Sequence, residues 1–266
     1  MLGRATGGVE NNCKKRERLS IEAFAYRREQ RYAAPVAASR RASTRRLRER
    51  ALVLATRDLF DERGMQHAPI EDVARAVGIA RGLIYRHFSS KQELYVLTVT
   101  TYLDELARIL EAAVAEEADT VRQAERCLKA YAEYCLRFPA FLDCSLSLMH
   151  RPARELRAAV SDSVWLRLGQ GMARCLDQVA SVLRAGTEAG TFAVADPDYM
   201  ANVLWTQTLG AMHLARIQVG VRQLAPGIPA LFSVDPDQIV ETCVASAMAT
   251  ITIKSRRTEG ARTGRR

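Results

Sequence analysis

Apolar residues recur at three- and four-residue spacing through most of this 266-residue chain, and that periodicity leaves few folds open. The run "TRRLRERALVLATRDLFDERG" places Leu47, Ala51, Leu54, Ala55, Leu59 and Phe60 on one helical face and stops at Gly64. Helical segments are expected over Lys91 to about Glu117, Thr120 to Phe138, "AFLDCSLSLM", Pro152 to about Ala189, 198–219 and 236–253. Their starts carry chemical markers. Ser90-x-x-Glu93 is a capping box, in which a serine cap and a glutamate three residues on satisfy backbone N–H groups reciprocally. Pro69 suits a first helical position, as do Pro197 after Asp196 and Pro236 after Asp235, with Gln238 completing a second box. No convincing alternating strand is found, so the expected fold class is all-α.

The stretch "VARAVGIARGLIYRHF", Val73 to Phe88, breaks this regularity with Gly78 and then crowds its end with Tyr85, Arg86 and His87. A helix-turn-helix explains both. Ala74 is small enough for two helices to approach. Gly78 takes the left-handed conformation of the short turn between them. Ile84 fills the angle, and Val73, Val77, Ile79, Leu83 and Phe88 complete a small core. Arg81, Gly82, Tyr85 and Arg86 are left on the outer face of the second helix. That face suits a DNA major groove. Arginine bonds guanine O6 and N7 in bidentate fashion, worth about 1–3 kcal/mol of discrimination. Tyrosine and histidine donate to phosphates, and Lys91 with the next helix start forms a further phosphate site.

"ALVLATRDLFDERG", "IEDVARAVGIARGLIYRHF" and "SSKQEL", within residues 45–94, resemble the DNA-binding domain of the tetracycline-repressor (TetR) family of bacterial regulators. The most specific part is the Tyr-x-His-Phe ending followed by Ser-Ser-Lys. The resemblance implies that Arg81, Gly82 and Leu83 lie near bases. It implies that Tyr85, His87 and Lys91 contact phosphate or sugar, with Arg86 on either. Two departures stand out. Ala80 replaces the usual Ser or Thr at the start of the recognition helix, and Leu83 replaces the usual Thr two residues before the tyrosine. One cap and one hydroxyl contact are lost, so no relative's operator transfers.

Charge supports the same partner. Residues 1–50 hold 14 Lys/Arg against 5 Asp/Glu, and residues 254–266 hold 6 against 1. The body between them is acidic, with 19 against 24. Basic ends on an acidic body favour a polyanion near the N-terminus. The expected organisation is a basic, disordered arm over 1–43, a DNA-binding domain over 44–91, a regulatory and dimerisation domain over 92–254, and a basic, disordered tail over 255–266. The arm is expected to add phosphate or minor-groove contacts.

Residues 198–219 and 236–253 are apolar on more than one face, so each helix must be covered on two sides. A second subunit is expected to cover one of them, in a four-helix bundle across a two-fold axis. The interface residues are expected among Val203, Leu204, Gly210, Met212, Val244, Ala247, Met248 and Ile251. For the middle helices, the family resemblance implies a small-molecule pocket for a mostly apolar ligand. Tyr131, Tyr134, Trp165 and Met172 are the candidate lining residues, with His213 and Arg216 as polar ends.

Other chemistry finds little support. The four histidines show no metal-binding spacing, and no nucleophile–base set is legible, so no metal, cofactor or enzymatic activity is expected. The six cysteines show no C-x-x-C, and Cys127 and Cys135 lie about 12 Å apart on one helix, too far to bridge. A thiol-based sensor is therefore the alternative rather than the expectation. The N-terminus lacks an apolar signal region and no run approaches a membrane span, so a cytoplasmic protein is expected. The expected function is a homodimeric repressor, released from a palindromic operator by a small ligand.

Overall fold

The computed structural model describes residues 44–150 and 152–252. The expected arm over 1–43 and tail over 255–266 lie outside the described residues. The described residues fall into two units, with the boundary between residues 51 and 52. In the first, the described residues 44–51 are helical, and Arg45 Nε lies 2.7 Å from Glu49 Oε1. Leu47 there is 66% exposed.

The second unit begins with helix α1 (residues 52–63), which buries Leu52, Val53, Thr56, Leu59 and Phe60. Leu54, expected on the buried stripe, is exposed. The stripe is shifted in phase because Leu52 and Val53 were as apolar as the residues beside them. A 3-10 turn (Met65–His67) leads to α2 (Ile70–Val77) and the short α3 (Arg81–Ile84). Then follow α4 (Lys91–Ala115), α5 (Thr120–Arg137), α6 (Pro139–Met149), α7 (Ala153–Ala158), α8 (Asp162–Glu188), α9 (Pro197–Ile217) and α10 (Pro236–Thr252). The helical fold agrees with the expectation. The helix anticipated from Pro152 to Ala189 is two helices, α7 and α8, and Pro69 caps α2 instead of opening it.

The caps explain the helix starts. Ser90 Oγ accepts from Glu93 N at 3.0 Å, Asp119 Oδ1 from Arg122 N at 3.0 Å, and Asp196 Oδ1 from Tyr199 N at 2.9 Å. Each satisfies an N–H that has no partner within the helix, worth about 1 kcal/mol. In the first box Glu93 Oε2 accepts the return bond from Ser89 N, one residue before the cap.

The expectation that no strand is present was mistaken. Beyond α9 the chain forms an antiparallel hairpin, β1 (Val219–Ala225) and β2 (Ile228–Ser233), pairing Val219 with Ser233 and Ala225 with Ile228. Gln218 ends α9 in the left-handed conformation (φ 53°), and Gly227 makes the turn (φ 78°). Val221, Leu224, Ile228 and Leu231 are more than half exposed, so neither face shows the buried alternation that would have marked a strand.

Helix α4 packs between α5 and α8, and α9 lies against α8, α5 and α10. The approach of α4 to α8 is close at Gly171, where a Cβ would sit 3.2 Å from Leu103. One apolar core runs from Leu52 through Ile84 and Val96 to Phe141 and Met212. A second gathers Leu128, Leu183, Phe192, Val194, Leu204 and Ile251. No helix among the described residues is long and apolar enough to cross a membrane.

The N-terminus of α4 is fixed to the turn between α7 and α8. Ser90 Oγ donates to Ala159 O at 2.8 Å, and Ser161 Oγ donates to Glu93 Oε1. Burial opposes the charge on Glu93, but the bonds from Ser161 and Ser89 outweigh it, and its pKa lies below the ordinary glutamate value. A depressed carboxylate contributes stability that is complete above its unfolded pKa and is lost as pH falls through the folded one. The acid limb of the stability–pH curve should therefore flatten in Glu93→Gln. Acid unfolding followed by circular dichroism tests this, and an unchanged limb would remove Glu93 from the account.

Candidate nucleic-acid interface

Helices α2 and α3 meet at Gly78, whose φ of 71° and ψ of 34° are left-handed. Its N–H and that of Ile79 reach back to Arg75 O and Ala74 O, closing α2. A residue with a Cβ pays a steric penalty in this region, which is why glycine stands here. Ala74 is 3% exposed and Ile84 is fully buried, so the small residue and the wedge occupy the expected places. Only four residues make α3, and the chain continues in turns through Tyr85 to His87. Phe88 N returns to Ile84 O at 3.0 Å, and Phe88 is buried.

With Ile84 turned inward, Arg81, Gly82, Leu83, Tyr85 and Arg86 are all exposed. Leu83 and Tyr85 are 38% and 45% exposed, high values for such side chains. His87 is half-buried, its ring 6.4 Å from that of Phe88. Lys91 is exposed at the first turn of α4, beside its positive N-terminal end. One feature was not legible in the sequence. Arg81 Nη1 lies 2.7 Å from Glu71 Oε1 on α2. Both groups are well exposed, so the pair is weak, about 0–1 kcal/mol.

The other candidate residues fall differently. Tyr131 and Tyr134 are buried, while Trp165 and Met172 are half-buried. The Tyr131 ring stacks on Trp205 at 4.3 Å, and Tyr134 packs on Phe138 and Phe141, so these rings fill each other's space. His213 and Arg216 are exposed, with Arg216 ion-paired to Asp143 on α6. Of the expected interface residues, Leu204, Met212, Ala247 and Ile251 are buried in the chain's own core. Val203, Val244 and Met248 are half-buried and Gly210 is exposed. A groove of about 200 Å³ runs between α9 and α10, lined in part by Gln207, Ala211, Leu214, Thr242 and Ser246.

The thiols described are poor nucleophiles. Burial holds Cys127, Cys144 and Cys175 at a pKa of about 12 and pushes Cys135 up as well. Cys243 is also raised by burial, although a contact with Thr208 opposes this. Cys13 lies outside the described residues.

A glycine-turned pair of helices, docked by a buried isoleucine and presenting arginines and a tyrosine outward, defines a helix-turn-helix protein. Residues 52–97 match the model described as bacterial regulatory proteins, tetR family. It is 26% identical over 83 residues to the transcriptional activator FasR of Mycolicibacterium smegmatis, covering 31% of this chain and 38% of FasR. It is 27% identical over 134 residues to the transcriptional repressor KstR2 of Rhodococcus jostii, covering 50% and 62%. The chain thus spans less than two-thirds of the length of either relative. The crystal structure of RolR with resorcinol shares the fold at a TM-score of 0.59 and 15% identity, over 80% of this chain and 91% of that one.

Proposed function

We propose that this chain is a sequence-specific DNA-binding transcriptional regulator, a homodimeric repressor that a small, mostly apolar ligand releases from a palindromic operator. The carrying observation is the exposed face of Arg81, Gly82, Leu83, Tyr85 and Arg86 on a helix held by Ile84. Arg81 and Arg86 read base edges, while Tyr85, His87 and Lys91 fix register on phosphates. Residues 44–91 act as the DNA-reading part and 92–254 as the regulatory and dimerising part.

Self-association uses α9 and α10. The groove between them is lined by apolar residues and by uncharged polar ones, and the hairpin joining them carries Val221, Leu224 and Leu231 at 68–71% exposure. Val221 and Leu231 are partners across the hairpin, and adjoining exposed apolar residues of this kind mark an interface. A second copy covers it, and the two-fold relation sets two recognition helices about one DNA turn apart.

Selection from random duplex DNA, at a stated salt concentration, tests the reading. The expected product is an inverted repeat with half-sites about 10 bp apart, centre to centre. Strong retention without an enriched sequence would overturn it in favour of general DNA coating. The names of the relatives include both an activator and a repressor. A reporter placed behind the selected operator therefore decides the sign of the effect.

A further inference from the structure

One cavity lies away from the candidate lining residues Tyr131, Tyr134 and Trp165. It has a volume of about 310 Å³ and lies where the helix-turn-helix meets the remaining helices. One wall is Phe60 of α1, Met65 of the 3-10 turn and Val73 of α2; the other is Leu94 of α4, Leu148 of α6 and Leu156 of α7. The volume falls at the small end of ligand sites. Phe60, Val73, Leu94 and Leu156 are each 7% exposed or less, so the floor is apolar and displaced water is a net gain. Lys91 is the single charged residue among the described lining residues.

We infer that this cavity is the effector site, and that it takes a small apolar acid: a compact aromatic or short-chain body with one carboxylate directed at Lys91. Three observations converge. The cavity has room and an apolar floor. The one charged residue among its described lining residues is a cation. The middle of the bundle, by contrast, is occupied by its own rings, with Tyr131 on Trp205 and Tyr134 against Phe138 and Phe141.

The location also supplies regulation, and here the inference rests on the regulator reading above. Lys91 opens α4 and faces the phosphate backbone in that reading. A carboxylate that pairs with it removes one phosphate contact. The apolar body meanwhile bridges α2 to α6 and α7, fixing the angle at which the helix-turn-helix leaves α4. Ligand and operator then oppose each other, and each weakens the other by the same factor.

The test uses the full chain without DNA and two probes, 4-phenylbutanoate and its neutral amide, followed by titration calorimetry. The acid should bind one per protomer. Ser147→Trp, which fills the cavity from its half-buried position on α6, should weaken both probes by more than about tenfold. Ala68→Leu fills it from the opposite wall and should do the same, which guards against misfolding of either variant. Lys91→Gln should weaken the acid about three- to fivefold and leave the amide unchanged, the modest factor of an exposed ion pair. Absence of saturable binding of the acid up to about 1 mM, or affinity indifferent to both filling variants, would overturn the site. That failure leaves the regulator reading standing. Failure of operator selection overturns the regulator reading and leaves the site.

Discussion

Ile84→Ala should cost about 2–5 kcal/mol of folding stability and abolish operator binding at concentrations where the native chain saturates. Two facts set the size of the effect. Ile84 is fully buried, so truncation removes apolar contact and leaves a cavity in the angle between α2 and α3. The helix that carries it has four residues, Arg81 to Ile84, well short of what holds itself together in water. Docking by this one side chain, and by Phe88 behind it, is what keeps Arg81, Tyr85 and Arg86 in register. Ile84→Val keeps most of the contact and should cost only about 0.5–1.5 kcal/mol with DNA binding retained. Urea unfolding and operator titration of the two variants decide the matter. A loss below about 1 kcal/mol in Ile84→Ala would show that α3 is held by something else.

The position of Ile84 was legible because local chemistry determined it. A glycine where a left-handed residue is needed, a small residue four before it and an aliphatic one six after it admit few other arrangements. The same holds for the helix starts at Ser90, Asp119 and Asp196, where the side chain bonds a backbone group three residues on. What failed to show depended on contacts distant in sequence. A helix that is apolar all round announces two covered sides without saying which is which. Leu204, Met212, Ala247 and Ile251 thus read as interface residues although they face the chain's own core. Tyr131 and Tyr134 read as lining residues, but composition does not distinguish rings that line a void from rings that fill it. The hairpin escaped because both its faces are exposed and period-two alternation needs one buried face. Gln218 and the Pro226–Gly227 turn were the available signals.

The contact least visible in the sequence is also the one whose loss should matter most outside the recognition helix. Arg57 of α1 reaches across to α4, bonding Glu105 and approaching Thr101 O at 3.4 Å. Its guanidinium lies 4.2 Å from the Tyr102 ring centroid. Tyr102 OH donates to Asp61 Oδ1 at 2.7 Å, and Tyr134 OH donates to Tyr102 O and to Glu105. Burial works against the charge on Arg57, yet the bond it donates to Glu105 and the nearby groups outweigh it and raise its pKa. Burial also raises Asp61, against the bond from Tyr102 and the charge of Arg57. Removing the cation leaves two carboxylates poorly compensated. A fully buried pair broken in this way costs about 3–5 kcal/mol. The side chains here are 15–30% exposed, so about 2–3 kcal/mol is expected for Arg57→Met. Arg57→Met combined with Glu105→Gln should recover part of the loss, because the second change removes one of the stranded charges. Arg57→Lys keeps the charge but loses the planar fork and the stacking on Tyr102, and should fall between. Additive losses in the double variant would mean that Arg57 and Glu105 act separately. Non-additive recovery would identify the network as one joint between α1 and α4, the two helices that flank the cavity at Lys91. In that case Arg57→Met should also weaken the effect of the acid probe on operator affinity, while leaving the probe's own affinity nearly unchanged.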